Sequence, residues 1–567
     1  MHRKFDDLES RQFDLLVIGG GIFGACAAWD ATLRGLSVAL VEQADFGSGT
    51  SANSFKMVHG GIRYLQHADL PRLRASCHER SALLRVAPHL VTPLPIAVPT
   101  FGHGREGKAL LGAGMLLYDL LTLDRNRGVA DPARRIPRSG FLSAAQVAEL
   151  FPGLASPGLT GAAVFCDGQM YNPPRLVLAF VRAAAERGAL VVNHAEAQSL
   201  LRSADVVVGA RVHDRVTGVC ADVRARAVLN AGGPWVRWFM REREHLPLAD
   251  EGSYSRDACF VVRRRFEHGY GLAVPGKTRD PDAVIGRSAR HLFVVPWRQY
   301  TLCGVWHRVA PERPDDLRFT PDELASCVDE LNGAMPDLQI DASEISTCNF
   351  GLLPFGENEP GAAHLRYGKR SHLIDHAAES GLQNLVSLIG VRYTMARGDA
   401  AGAVDLICTK LGRSAARAPT DRVPVWGGGF GEFPALVDSV EQAAPFRVTR
   451  AAANALAHNY GSRYQDVFAI AKTPDLAGCI AGTTTWRAEI VHAVRTEMAQ
   501  RLGDVVFRRT DLASGGHPGR QALEEAATLT AAELRWSLAR RSAEIADVER
   551  EAALRSPAAR PLVSESA

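Results

Sequence analysis

The chain reads as an α/β protein that carries an antiparallel-sheet region and ends in an all-α unit. Three stretches lead to that reading. The apolar run Phe13 to Ile18, the helical spacing of Ile22 to Leu33 and the buried run Ser37 to Val41 form a β-α-β pattern near the N-terminus. From about Tyr254 to Val309 the pattern turns β-rich, in runs such as Cys259 to Val262, His291 to Val295 and Tyr300 to Val305. Near the C-terminus the spacing is helical, over Val448 to Asn459, Thr485 to Arg501 and Ala531 to Leu554.

Other elements fill in the order. Leu70 to Val86 has helical spacing with arginine-rich polar faces, and Arg175 to Arg187 reads as a helix followed by the strand Leu190 to Val192. A chain of 567 residues exceeds one hydrophobic core, so two or three units are expected. We place a discontinuous nucleotide-binding domain over 1–410, with a substrate domain inserted mainly over 75–160 and 235–350. The Pro-, Gly- and Ala-rich stretch 411–445, with Ala418-Pro419 and Gly427 to Gly429, reads as a linker. A helical domain over 446–555 and a disordered tail over 556–567 complete the chain.

Composition narrows the function classes. A formal net charge of +3 on this length makes no electrostatic case for a nucleic-acid partner. The ten cysteines are scattered, with no CxxC pair and no paired-histidine spacing, so no metal site is expected. Met1 to Arg11 is charged and lacks the apolar stretch of a secretory signal, which points to a reducing, cytoplasmic compartment. The apolar run Ala109 to Leu121 is too short to span a bilayer, so any membrane contact is peripheral.

The strongest motif is Gly19-Gly20-Gly21-Ile22-Phe23-Gly24, a GxGxxG directly after a strand and at the head of a helix. Gly19 permits the tight turn, Gly21 lets backbone approach a pyrophosphate, and Gly24 lets helix and strand pack closely. The helix N-terminal amides then hold the phosphates. Glu42 ends the next strand, where a carboxylate bonds ribose hydroxyls. The motif lies at the extreme N-terminus, and a second strand-to-glycine segment, Ala225 to Trp235 with Gly232 and Gly233, returns much later. That long interruption favours FAD over NAD, and the unit is read as a Rossmann-like FAD-binding domain.

Asp14 to Gly24, Thr50-Ser51, Lys56 and the string His59-Gly60-Gly61-Ile62-Arg63-Tyr64-Leu65 resemble the FAD-dependent glycerol-3-phosphate dehydrogenases, within the wider D-amino-acid-oxidase-like group. Ala87 to Leu90, Asn230 to Trp235, Val295-Pro296-Trp297 and Arg495 to Leu512 extend the likeness over most of the chain. The resemblance implies oxidation of sn-glycerol 3-phosphate to dihydroxyacetone phosphate. A hydride passes from C2 to flavin N5, electrons go to a quinone at the membrane, and FAD is bound without a covalent link. It implies a cytoplasmic protein, peripheral on the inner face of the cytoplasmic membrane, and admits a homodimer.

By matching motifs, Gly19, Gly21, Gly24, Glu42, Thr50, Ser51, Lys56, Gly232 and Gly390 are expected at FAD. Arg63 and Tyr64 are expected at the substrate, Arg370 at its phosphate, and Arg392 where the family has a lysine. His59 is a flavin or substrate contact or a structural hydrogen-bonding residue. His307 and His372 are candidate proton acceptors. Three departures fall on the substrate pocket. The family's glycine-x-arginine-proline string reads Gly351-Leu352-Leu353-Pro354, its glycine-threonine-threonine-aspartate turn reads Gly304-Val305-Trp306-His307, and a family histidine is Cys259, expected to be inert. Two alternatives therefore stay open: a diverged paralogue that oxidises another alcohol or an amine, and a non-catalytic flavin-binding protein. Arg508-Arg509 is expected on a solvated helix face.

Overall fold

The structure is a computed structural model that describes residues 1–567 except 103–107, 155–157, 249–252, 266–267, 280–288, 310–312, 337, 356–369, 415, 417–418 and 557–567. The expected tail thus lies outside the described residues from 557 on. In chain order the strands are β1 (Phe13–Ile18), β2 (Val38–Val41), β3 (Met57–Val58), β4 (Val91–Phe101), β5 (Gly140–Ser143), β6 (Leu159–Met170), β7 (Leu190–Val192), β8 (Ala195–Ser203), β9 (Val206–Asp214), β10 (Cys220–Asn230), β11 (Ser253–Val262), β12 (Gly271–Arg279), β13 (Ala289–Trp297), β14 (Tyr300–Val309), β15 (Ile345–Phe355), β16 (His372–Asp375) and β17 (Leu385–Ile389). They form two sheets.

The first sheet runs β16-β17-β10-β1-β2-β7, with β8 and β9 reached through β10. Its centre is parallel: β1 pairs with β2 and with β10, and β10 with β17. Every β2 residue is buried, as expected of a parallel strand covered on both faces. Helix α1 (Ile22–Leu33) packs against the helices Pro173–Glu186 and Ala396–Lys410. The second sheet runs β15-β11-β14-β13-β12-β4-β6-β3, with β5 on β6, and is antiparallel except where β12 meets β4. Two further helices matter for the site, α2 (Leu70–Val86) and α3 (Lys108–Leu121).

The C-terminal helices share the nucleotide domain's core: Trp29 and Val181 belong to one apolar cluster with Leu456, Tyr460 and Trp486. Here the stretch 411–445 departs from a linker. Val425 and Trp426 are buried in that core, and Phe433–Ala443 is a helix. Its buried Phe433, Leu436, Val437 and Val440 keep helical spacing, a period masked by the glycines before it. The expected helix Ala531 to Leu554 is two helices, Arg520–Leu534 and Leu538–Leu554. Arg535 turns left-handed at φ 54°, and Ser537 caps the second helix by accepting from the Arg540 N–H at 3.2 Å.

Arg508 and Arg509 are not on a solvated face. Both are buried at the seam with the nucleotide domain, where Asp45, just after β2, accepts from Arg509 Nη1 and Nη2 at 2.6 and 2.7 Å and from Arg508 Nε at 2.7 Å. Arg508 also meets Asp504 at 2.8 Å, and Asp504 meets His194 at 2.9 Å. A second buried set joins Arg175 and Arg182 of the nucleotide domain to Glu497 at 2.7 and 2.8 Å. Guanidinium forks tolerate such burial only when carboxylates from the facing element complete them. No helix among the described residues is long and apolar enough to cross a membrane.

Candidate functional site

A cleft of about 920 Å³ runs between the two sheets, from the head of α1 to the turn Ile62–Leu65. At one end its walls are mostly backbone. Gly19 sits at φ 105°, a region that suits glycine, and any Cβ there would lie 2.7 Å from the Ala231 carbonyl. A Cβ on Gly24 would lie 1.9 Å from the Gly19 carbonyl, so the α1–β1 approach needs that hydrogen-only position. Gly21 caps α1 and lines the cleft with Ile22 and Phe23; Ile22 N–H donates to Ser51 Oγ at 3.0 Å. Glu42 accepts from the Gly20 and Ala44 N–H groups at 2.6 and 2.9 Å, and burial raises its carboxyl above the usual range. Gly232 and Gly390 close this end, and Thr50 donates to the Leu352 carbonyl at 3.1 Å. A glycine-capped helix N-terminus, a carboxylate at the end of β2 and glycine-rich walls fit an adenine dinucleotide.

The other end is built from side chains. Arg63, Tyr64, His67, Arg72 and Arg392 line it from the turn Ile62–Leu65, the loop beyond, α2 and the residues after β17. Arg392 Nη1 donates to the Tyr64 hydroxyl at 2.5 Å and to Ser76 Oγ at 3.2 Å. Arg72 pairs with Asp69 at 2.6 Å while its guanidinium lies 4.7 Å from the Tyr64 ring centroid. His59 reaches this region with its side chain half exposed. Its N–H donates to Thr394 Oγ1 at 2.9 Å, and its Nδ1 lies 3.5 Å from Asp167. Asp167 also accepts from Gly60 N–H at 2.6 Å and Arg80 Nη1 at 2.9 Å. Against the cost of burial, His59 and Arg80 hold the Asp167 carboxyl below the usual carboxylate range.

The facing wall is the sheet β15-β11-β14. Asp257 on β11 stands opposite His307 on β14 and Gly351 on β15. His307 Nδ1 is 2.7 Å from Asp257 Oδ1, which also accepts from Ser255 Oγ at 2.7 Å. Leu353, Phe355 and Val305 make the rest of this wall apolar, and Phe55, Phe165 and Phe293 line the cleft beside it.

Most expected site residues line the cleft: Gly19, Gly21, Glu42, Thr50, Ser51, Gly232 and Gly390 around the fingerprint, His59, Arg63, Tyr64 and Arg392 around the turn Ile62–Leu65, and His307 on the β11–β14 wall. Gly24 acts from behind, through packing. Lys56 does not line the cleft. Its buried ammonium lies 4.8 Å from the Trp297 ring centroid, on the side of the C-terminal helices, and burial lowers its pKa to about 8. Arg370 is exposed and outside the cleft lining. Against the cost of partial burial, the Arg72 N–H and guanidinium, joined by Arg370, hold Asp69 below the usual range. His372 begins β16 and does not line the cleft either. Burial pushes the Cys259 thiol up to about 11 even with Lys56 nearby, which matches an inert cysteine. Asp257, Asp167 and Arg72 escaped the sequence reading. Asp257 meets a partner fifty positions away through strand register, which no local spacing encodes.

Among the described residues the tight His/carboxylate cluster is Asp45, His194 and Asp504, and its oxygens are engaged by Arg508 and Arg509. It is an ion-pair network rather than an open ligand set.

Two family profiles match the chain: "FAD dependent oxidoreductase" over residues 14–387 and "C-terminal domain of alpha-glycerophosphate oxidase" over residues 418–541. The chain is 30% identical to a glycerol-3-phosphate dehydrogenase of Synechocystis sp., with 90% of this chain and 91% of that one aligned. It is 31% identical to a glycerol-3-phosphate dehydrogenase of Mycobacterium leprae, over 93% and 86% of the two chains. The crystal structure of the Bacillus halodurans glycerol-3-phosphate dehydrogenase complexed with FAD superposes with a TM-score of 0.75 at 24% identity, covering 99% of this chain and 98% of that one. That superposition shows a shared fold.

Proposed function

Because the chain belongs to the FAD-dependent oxidoreductase family and carries the C-terminal domain of the α-glycerophosphate oxidases, we propose that it oxidises sn-glycerol 3-phosphate to dihydroxyacetone phosphate. The observation that carries this reading is the cation cluster Arg63, Arg72 and Arg392 around Tyr64, at the cleft end away from the dinucleotide fingerprint. FAD, when bound, supplies the acceptor for the hydride that leaves C2. Gly19, Gly21, Glu42, Ser51 and Gly232 would hold it. Arg63 and Arg392 would bind the phosphate through charge-assisted hydrogen bonds. Tyr64 accepts from Arg392, so its own hydroxyl proton is left to donate to a substrate oxygen.

A second reading has its own support. Leu353 stands where the family pattern has an arginine, with the Asp257 carboxylate on the same wall. A carboxylate and a leucine in place of a cation favour a substrate with a less anionic second end. Anaerobic bleaching of the flavin separates the two: reduction by glycerol 3-phosphate supports the first, and reduction only by an unphosphorylated alcohol or an amine supports the second.

Electrons are proposed to leave to a quinone at a membrane surface. Helix α3 turns Leu111 and Met115 to the cleft and leaves Leu116, Leu117 and Leu120 exposed, as an interfacial helix would. Replacing Leu116 and Leu120 by glutamate should weaken sedimentation with phospholipid vesicles; unchanged sedimentation counts against this face.

A further inference from the structure

We propose that Asp257 and His307 form a carboxylate–imidazole pair in which Asp257 fixes the ring and His307 Nε2 takes the hydroxyl proton of the substrate. The proposal rests on the alcohol-oxidising reading above and adds to it the proton acceptor and a positioning residue.

Register brings the pair together. Asp257 and His307 are direct partners across β11 and β14, and both line the cleft. Ser255 Oγ and His307 Nδ1 converge on the same carboxylate oxygen, each at 2.7 Å. A carboxylate accepts, so Nδ1 carries the hydrogen and Nε2 is left as the basic nitrogen. The ring is stacked 5.7 Å from Phe355, and its side chain is 14% exposed, so its orientation is fixed from two sides. Among the described residues, the other charged or titratable groups that line the cleft around this strand set are Cys259 on β11, His291 on β13 and Arg313 and Asp315 after β14.

The other candidates fit the role less well. His59 lies 3.5 Å from Asp167, and that carboxylate already serves Arg80 and the Gly60 N–H. The Tyr64 hydroxyl accepts from Arg392, which suits it to donate rather than to take a proton. Cys259, where the family pattern has a histidine, has its thiol pushed up to about 11 by burial. Lys56 is basic enough but faces away from the cleft. Cys259 and His307 lie on neighbouring strands, with Cys259 opposite Gly304.

In the step, the O–H bond breaks with its proton going to His307 Nε2, and its electron pair forms the C=O bond. FAD, when bound, would take the C–H pair as hydride. The charge gained by the imidazole is balanced by Asp257.

The test uses the FAD-loaded full-length protein, its Asp257→Asn and His307→Gln variants, and sn-glycerol 3-phosphate as reductant under anaerobic conditions. General-base loss is expected to slow the limiting rate of flavin reduction about 100- to 10,000-fold in His307→Gln, with little change in the half-saturating concentration. Asp257→Asn should slow it about 100-fold, and His307→Gln should remove the acid limb of the pH profile. In ¹⁵N-histidine spectra of the wild type, the resonance missing from His307→Gln should report an Nδ1–H tautomer that is lost in Asp257→Asn. Wild-type rates and pH profiles in both variants would overturn the pair, as would an Nε2–H tautomer at His307. If glycerol 3-phosphate fails to bleach the wild-type flavin, the substrate reading falls and the spectra still decide the pair.

Discussion

The two ends of the cleft are made by different means. At the dinucleotide end the specificity lies in backbone: the Gly19 turn, the α1 amides and the hydrogen-only contact of Gly24 with Gly19. At the substrate end it lies in side chains delivered by distant segments, Arg392 onto Tyr64 and Asp257 onto His307. Backbone-built sites tolerate almost no change at a few contiguous positions. Side-chain-built sites can be rebuilt one residue at a time while the fold persists. That is why this chain keeps the nucleotide fingerprint intact and gathers its departures, Leu353, Cys259 and His307, on one wall of the cleft, the strands β15, β11 and β14.

The largest effect should come from breaking the backbone-built end. Gly24→Val places atoms within 1.9 Å of the Gly19 carbonyl, and the variant should carry no FAD. Absorbance of bound flavin per protein checks it; a yellow, stoichiometrically loaded variant would mean that the close approach is dispensable.

Next is the seam with the C-terminal helices, where Asp45 neutralises Arg508 and Arg509 out of water. Asp45→Asn leaves two buried guanidiniums short of a counter-charge and should cost about 3–5 kcal/mol in denaturant unfolding. A loss below about 1 kcal/mol, the size of a surface pair, would show the seam to be hydrated.

At the substrate end, one charged hydrogen bond contributes roughly 1.5–3 kcal/mol. If the phosphate lies toward β15, Leu353→Arg should therefore lower the KM for glycerol 3-phosphate about ten- to a hundred-fold. An unchanged or raised KM, with activity on another substrate impaired, would mark the apolar wall as a designed surface.

The smallest effect concerns pH. Burial raises the Glu489 carboxyl to about 8, so the folded state holds this proton more tightly than the unfolded chain does. The sign follows: its favourable contribution is complete below the unfolded value near 4.5 and is lost as pH rises toward 8. Glu489→Gln, which mimics the protonated form and can still accept from the Trp486 N–H, should raise Tm at pH 8.5 by roughly 2–4 °C and hardly change it at pH 5. Equal shifts at both pH values would place the carboxylate in water.

What was legible in the chain follows the same division. The β-α-β fingerprint announces itself because turn, helix start and acidic strand end are consecutive, and β1, α1 and β2 lie where periodicity puts them. The pair Arg508-Arg509 looks like a solvated face because the carboxylate that buries it, Asp45, is more than four hundred residues away. Lys56 sits inside a cofactor-like string, yet the backbone at φ 61° aims its side chain at Trp297. Phe433–Ala443 is hidden for another reason: its apolar period spans only 11 residues and follows a glycine-rich stretch that looks like a linker.

Passage of electrons from glycerol 3-phosphate to FAD in this cleft is tested most directly by anaerobic stopped-flow bleaching of the purified, FAD-loaded protein. Full bleaching by sn-glycerol 3-phosphate is expected, with Arg392→Met retaining its FAD but needing about ten- to a hundred-fold more substrate for the loss of one charged contact. A flavin that stays oxidised with glycerol 3-phosphate, and is bleached by another alcohol or an amine, would contradict it.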